Sequence, residues 1–313
     1  MTQIAYIFPG QGSQSVGMMS SWGDHTTSVN SLFQQASDIL ELDLLSIVKE
    51  GPKEQLNQTH ITQPAMLVSG VASFQVWQKE TDFNVDIMAG HSLGEYTALV
   101  CAGKLAFADA VKLVHKRGQL MQQAVAEGEG AMAAIIGLAD EDVVKACAQV
   151  SEGVVSAVNF NSPGQVVIAG NKASVEQAMV FAKEAGAKRA LPLPVSVPSH
   201  CSLMEPAADA LFQTMQDIEI ESTDIRVIQN ESADFSDDEK AIKSSLRKQL
   251  SQPVRWVESV QKMQQQGVTH LIEMGPGKVL AGLTKRIDKS LKALPVYDSE
   301  SLEQAKTTLA EDL

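Results

Sequence analysis

The sequence predicts an α/β protein: a large domain with a central, mainly parallel sheet, and a small β-α-β-β-α-β unit inserted into it. Two observations carry this. Near the start, in the first third and near the end of the chain, an apolar run with strand character ends in a glycine-rich turn and leads on towards helix (residues 3–12, 85–101 and 268–280). Between them, residues 131–196 switch to short strands alternating with amphipathic helices. We therefore expect residues 1–127 and 197–313 to form the large domain and 128–196 the inserted one. A chain of 313 residues with 44% hydrophobic content can bury cores for both.

Composition excludes several classes. A net charge of -13 leaves no general affinity for nucleic acid, which needs clustered Lys and Arg, but it allows a local basic patch. Cys101, Cys147 and Cys201 are far apart with no Cys-x-x-Cys pair, so neither a disulfide framework nor a cysteine metal site is expected. No secretory signal and no run of roughly 20 apolar residues is present, so the expectation is a soluble, cytoplasmic, monomeric protein without membrane partners.

Taken in order, residues 3–8 read as a strand. Pro9-Gly10-Gln11-Gly12-Ser13-Gln14 follows, either a plain turn or a loop that presents the Gln11 amide at a strand's C-terminal end. Residues 29–49 read as one helix stopped by Gly51-Pro52, and Thr62-Gln63-Pro64 as the start of a helix to Glu80. Val85–Ala89 is a strand, and Glu95–Cys101 a helix ended by Gly103. Residues 107–126 are helical, with Ala110, Leu113, Val114, Met121 and Ala124 on one apolar face. In the insert, strands are expected at Met132–Ile136, Val154–Asn159 and Gln165–Ala169, helices at Asp140–Val150 and Ser174–Ala185, and an extended segment at Lys188–Pro194. That is the ferredoxin-like order. Beyond it, Ile225–Asn230 and Val268–Met274 read as strands and Ala241–Leu250 and Trp256–Gln266 as helices. The tail after Pro295 reads as a short, peripheral helical run.

Chemistry concentrates at Gly90-His91-Ser92-Leu93-Gly94. Strand, sharp turn and helix with a serine at the apex is the nucleophile elbow of α/β-hydrolase-like folds. Ser92 is either that nucleophile or an N-cap, because Ser92 and Glu95 also spell a capping box. Arg117 lies on the apolar face of its helix and must find an anion, either a structural Asp or Glu or a substrate carboxylate. Of the six histidines, His91 adjoins Ser92 but should point away from it. His200, in the Pro-rich re-entry loop, is best placed to reach across a cleft as a base.

These motifs, with Lys116-Arg117-Gly118, Asn161-Ser162-Pro163-Gly164-Gln165, Pro198-Ser199-His200 and Glu273-Met274-Gly275-Pro276-Gly277, run in an order and spacing that closely resemble the malonyl-CoA:acyl carrier protein transacylases of bacterial fatty acid synthesis. The resemblance spans essentially the whole chain. It implies ping-pong transfer of malonyl from malonyl-CoA to acyl carrier protein, without a cofactor or metal, through a malonyl-serine on Ser92 with His200 as base. It further implies an oxyanion hole from the backbone N–H groups of Gln11 and Leu93, a carboxylate partner in Arg117, and orientation of His200 by an oxygen of Gln249. Because the carrier protein is acidic, a basic docking patch is expected. Lys188, Arg189, Lys285 and Arg286 are its candidates, set against scattered surface cations. Val197-Pro198-Ser199-His200 departs from the His-Ala-Phe-His and Tyr-Ala-Ser-His forms of polyketide acyltransferases, so their acyl-choice rules do not transfer. The competing functions are a serine thioesterase or lipase, which needs an Asp or Glu behind its histidine, and a non-catalytic docking module.

Overall fold

A computed structural model describes residues 3–195 and 197–312. Ser196, the last residue of the expected insert, lies outside them, as do Met1, Thr2 and Leu313. The chain opens with β1 (Gln3–Phe8), then α1 (Thr26–Leu40), α2 (Leu44–Glu50), α3 (Lys53–Leu56) and α4 (Thr59–Glu80). β2 (Ile87–Gly90), α5 (Leu93–Cys101) and α6 (Phe107–Ala124) follow. Next come β3 (Gly130–Ile136), α7 (Asp140–Ala148), β4 (Val155–Ser162), β5 (Gln165–Asn171), α8 (Lys172–Glu184) and β6 (Arg189–Pro192). The chain closes with α9 (Glu205–Met215), β7 (Arg226–Ile228), α10 (Glu239–Ser251), α11 (Trp256–Gln265), β8 (Val268–Met274), α12 (Val279–Ile287), β9 (Lys292–Val296) and α13 (Ser299–Asp312).

The larger sheet has the order β7-β2-β1-β8-β9, and all its pairings are parallel. Its strands are covered on both faces, as a parallel sheet requires. In β1, Ile4, Tyr6 and Phe8 face a core shared with α1, α4, α5, α6, α9, α10 and α13, while Ala5 and Ile7 face a second core under α11 and α12. The smaller sheet, order β4-β5-β3-β6, is antiparallel throughout. α7 and α8 cover one face of it around Ile135, Val143, Val166, Ile168, Val175 and Ala178. Its other face packs Met132, Val158, Val167 and Ala169 on Cys201. β4 also joins the larger unit through the backbone: Val254 N–H donates to Val158 O (2.8 Å) and Phe160 N–H to Val254 O (3.0 Å). The three cysteines are free and buried.

Several elements differ from expectation. The single helix over 29–49 is two, because Glu41 turns left-handed (φ 51) and Asp43 caps α2 by accepting Ser46 N–H (3.1 Å). α4 begins at Thr59, before Pro64. Proline has no N–H for the carbonyl of His60, and that carbonyl accepts His115 Nδ1–H instead (2.7 Å), so the helix runs through. Helix α9, between Ser202 and Ile225, had no counterpart in the sequence reading. The tail is not peripheral. β9 extends the large sheet alongside β8, and α13 buries Leu302, Ala305 and Leu309 against the core.

Candidate active site

β1 and β2 lie side by side in the register Phe8↔Gly90, so the Gln11 loop and the Ser92 elbow leave the same end of the sheet. The elbow is tight. A Cβ on Gly90 would fall 1.9 Å from the Gly94 backbone, and one on Gly94 would fall 2.0 Å from Phe8 O. Only glycine fits at either position, which explains the Gly-x-Ser-x-Gly pattern. Ser92 itself has φ 52 and ψ -110, a conformation that costs a non-glycine residue about 1–3 kcal/mol. His200 is also left-handed, with φ 67.

Ser92 Oγ lies 2.8 Å from His200 Nε2. His200 Nδ1 lies 2.6 Å from the backbone carbonyl of Gln249, which can only accept, so Nδ1 carries the proton and Nε2 faces the serine hydroxyl as an acceptor. Burial and the charge of Arg117 hold the His200 pKa down at about 3, so the imidazole is neutral across the physiological range. A neutral imidazole against a hydroxyl can take its proton during attack. The backbone oxygen, rather than the side-chain oxygen, of Gln249 faces the histidine.

Arg117 is fully buried on α6. Nη1 donates to Gln63 Oε1 (2.9 Å), Nη2 donates to Gln249 Oε1 (3.0 Å) and Ser92 Oγ (3.2 Å), and Cζ lies 5.4 Å from the centre of the Tyr96 ring. Its Nε has no partner, and among the described residues no carboxylate forms an ion pair with it. The structural-acid option for Arg117 is thus absent at ion-pair distance, and the buried cation is left with neutral partners beside a serine. Gln63 also donates through Nε2 to Gln11 Oε1 (3.3 Å), linking the cation to the first loop. No protein acceptor among the described residues takes the N–H of Leu93, in the first turn of α5, or of Gln11.

The capping box does not form. Ser92 lacks the extended N-cap backbone, and its side chain makes no cap bond. Glu95 turns inward, and its Oε2 accepts Asn230 N–H (2.9 Å) and Gln249 Nε2–H (2.8 Å). Burial raises its pKa to about 7 against those hydrogen bonds. His91 points away from Ser92 to Asn161 Oδ1 (2.8 Å) at the end of β4, as expected.

Sequence reasoning therefore assembled Ser92, His200, Arg117, Gln249, Leu93 and Gln11, and it missed Gln63, Asn230 and the inward role of Glu95. Gln63 carried a signal: α4 is buried on all sides from Ile61 to Ser73, and a glutamine in such a stretch must be hydrogen-bonded. Asn230 carried none, since its partners depend on β7 pairing with β2.

Comparison with known proteins identifies the family. Residues 5–307 match the family described as acyl transferase domain. A malonyl CoA-acyl carrier protein transacylase of Haemophilus influenzae is 56% identical over 96% of this chain and 97% of its own. One from Bacillus subtilis is 46% identical over 100% and 99%. The crystal structure of an acyl carrier protein S-malonyltransferase from Vibrio cholerae superposes with a TM-score of 0.94 at 56% identity, over 97% of this chain and 100% of that one. A malonyl-transacylase solved in complex with its type II polyketide acyl carrier protein gives 0.96 at 50% identity, over 98% and 100%. The chain belongs to the acyl transferase domain family and, within it, to the malonyl CoA-acyl carrier protein transacylases.

Proposed function

We propose that the chain transfers the malonyl group of malonyl-CoA to the phosphopantetheine thiol of acyl carrier protein, supplying extender units for fatty acid synthesis. The observation that carries this is the placing of two groups on one oxygen. Ser92 Oγ has His200 Nε2 at 2.8 Å and Arg117 Nη2 at 3.2 Å, a base and a buried cation that no carboxylate pairs with at ion-pair distance among the described residues.

In this scheme Ser92 Oγ attacks the thioester carbonyl as its proton passes to His200 Nε2. The tetrahedral oxyanion is held by the N–H groups of Gln11 and Leu93. Its collapse expels the CoA thiolate, which takes the proton back from His200 and leaves malonyl-Ser92. Arg117 pairs with the free carboxylate of the malonyl group through its planar fork. The carrier thiol then gives its proton to His200 and attacks the ester carbonyl. Ser92 Oγ leaves and is reprotonated by His200. Nucleophile, base and carboxylate partner are all groups of this chain, so the scheme calls on no cofactor. A carbonyl behind His200, where a hydrolase triad has a carboxylate, favours this reading over a thioesterase.

The finer architecture belongs to the same proposal: an α/β-hydrolase-like domain of residues 1–127 and 197–313, with a ferredoxin-like insert of 128–196. The strand order β4-β5-β3-β6, with α7 and α8 on one face, supports the second assignment. Lys188, Arg189, Lys285 and Arg286 are exposed. Arg286 bonds Gln165, Gln165 pairs with Ile136, and Ile136 pairs with Arg189. That row lies at the same end of the small sheet as Asn161, the partner of His91. It is where we place the acidic carrier protein, on a cytoplasmic monomer. Among the described residues no helix is long and apolar enough to cross a membrane.

The test is intact-mass measurement after mixing with malonyl-, methylmalonyl- and acetyl-CoA in parallel. A malonyl adduct that Ser92→Ala abolishes, and that carrier protein discharges faster than water does, is expected. Release of free malonate as fast in water alone would make the protein a hydrolase.

A further inference from the structure

Ser92 stands in a backbone conformation that neither a strand nor a helix supplies, so neighbouring groups must satisfy its peptide units. The Ser92 N–H donates to Asn230 Oδ1 (2.6 Å), and Asn230 Nδ2 donates to Gly90 O (2.7 Å), so one side-chain amide spans the elbow from the strand side. On the helix side, Ser92 O accepts Gln249 Nε2–H (2.9 Å) and Glu95 N–H (3.1 Å). The two gripping residues, Asn230 and Gln249, are tied to a single atom, Glu95 Oε2. Glu95, Asn230 and Gln249 are all buried, so no water competes for these bonds.

We infer that Asn230 and Glu95 are positioning residues for acyl transfer, holding Ser92 in its left-handed backbone by gripping the peptide groups on both sides of it. Every polar group of Asn230 is committed: its N–H goes to Glu95, its side chain to Ser92 and Gly90, and its carbonyl accepts Arg255 N–H (3.0 Å). An amide is the one short side chain that presents a donor and an acceptor side by side, which this bridge requires. Glu95 uses one oxygen only. Its buried Oε1 has no partner, so a glutamine with its carbonyl in the Oε2 position retains the grip. Without the clamp the serine relaxes, and Oγ loses its alignment with His200 and with the Leu93 N–H. Misplacing a reacting atom by about 1 Å costs on the order of 100-fold in rate.

The inference rests on Ser92 being the acylated residue, and the experiment separates the two ideas. Steady-state transfer from malonyl-CoA to carrier protein, with intact-mass detection of malonyl-Ser92, is measured for wild type, Ser92→Ala, Asn230→Ala, Glu95→Ala and Glu95→Gln. Asn230→Ala and Glu95→Ala should lower kcat by roughly 30- to 100-fold with KM for malonyl-CoA within about 2-fold, because neither side chain bonds Arg117 or Gln63 directly. Glu95→Gln should stay within about 3-fold of wild type, since its carbonyl keeps the grip. If Asn230→Ala does not fold, the Glu95→Ala and Glu95→Gln pair decides. A second readout is the denaturation midpoint: Asn230→Ala should cost less in the Ser92 protein than in a Ser92→Gly background, because only serine has strain to release. Absence of a wild-type adduct would overturn the acyl-serine reading. A normal adduct with unchanged kcat in both alanine variants, or equal stability costs in both backgrounds, would overturn the clamp.

Discussion

Arg117 Nη2 donates to Ser92 Oγ at 3.2 Å, so the buried cation and the proposed nucleophile are in direct contact. An incoming carboxylate must compete for a guanidinium already held by Gln63, Gln249 and the serine, and it brings the negative charge those neutral partners lack. Arg117→Ala should therefore lower kcat/KM for malonyl-CoA by roughly 100-fold or more while changing acetyl transfer far less. Arg117→Lys should not restore it, because an ammonium cannot reproduce the fork. Equal losses for both acyl groups, in parallel assays, would remove the carboxylate role.

The pH profile follows from His200. A base works in its neutral form, and burial with the Arg117 charge puts the His200 pKa at about 3, below that of free imidazole. Malonylation kcat/KM should therefore show no loss as pH falls through 6.5, with the acid limb lying well below pH 5. Arg117→Met removes the second-largest of the lowering causes and should move that limb upward, though not to 6.5, because burial is the largest. A limb at 6.5 in wild-type protein would show that the histidine is solvated.

Backbone strain at Ser92 is testable without activity. Ser92→Gly should be more stable than Ser92→Ala by about 1 kcal/mol, because glycine accepts φ 52 and alanine does not, less the entropy that glycine loses on folding. Urea denaturation of the two inactive variants checks this.

Gln63 joins Arg117 to Gln11, and both groups it serves face the proposed reaction. Gln63→Leu keeps the volume on α4 but strips Arg117 Nη1 of its acceptor. A drop of about 10-fold or more in kcat/KM for malonyl-CoA is expected, with a smaller drop for acetyl-CoA.

His200 should survive loss of the Gln249 side chain, since its acceptor is the backbone carbonyl. Gln249→Ala should leave the acid limb of the pH profile in place while weakening malonyl transfer through Arg117 and Ser92, both of which bond that side chain. A shifted limb would make the side chain the orienting group.

The strand-turn-helix at Ser92, the helix with Arg117 on its apolar face and the short strands and helices between Met132 and Ala185 were legible because each is a local pattern. Periodicity and glycine spacing report directly on backbone and burial. The tail's helix was legible but not its burial, because α13 packs Leu302, Ala305 and Leu309 on a core built from distant elements, a contact that no local pattern encodes. Glu95 was misread for a related reason. Ser-x-x-Glu spells a capping box only if the serine is extended, and the elbow forces it left-handed. Asn230 and Gln63 act across register and helix packing, which the sequence does not display. The bond from His115 to the carbonyl that Pro64 frees is a pairing between two helices, which the sequence does not display either.

β1, at the middle of the larger sheet, is synthesised before both of its neighbours, and β8, which flanks it, follows long after β2. On a ribosome, β1 must wait for β8 with one of its edges open, so the large sheet cannot close until β8 has emerged. Ser92, His200 and Gln249 are likewise read out at widely separated times, although they bond one another in the finished fold. Catalytic competence should therefore arrive in one late step, and a nascent chain stalled before Val268 should carry an intact Gly-x-Ser-x-Gly with no reactive serine.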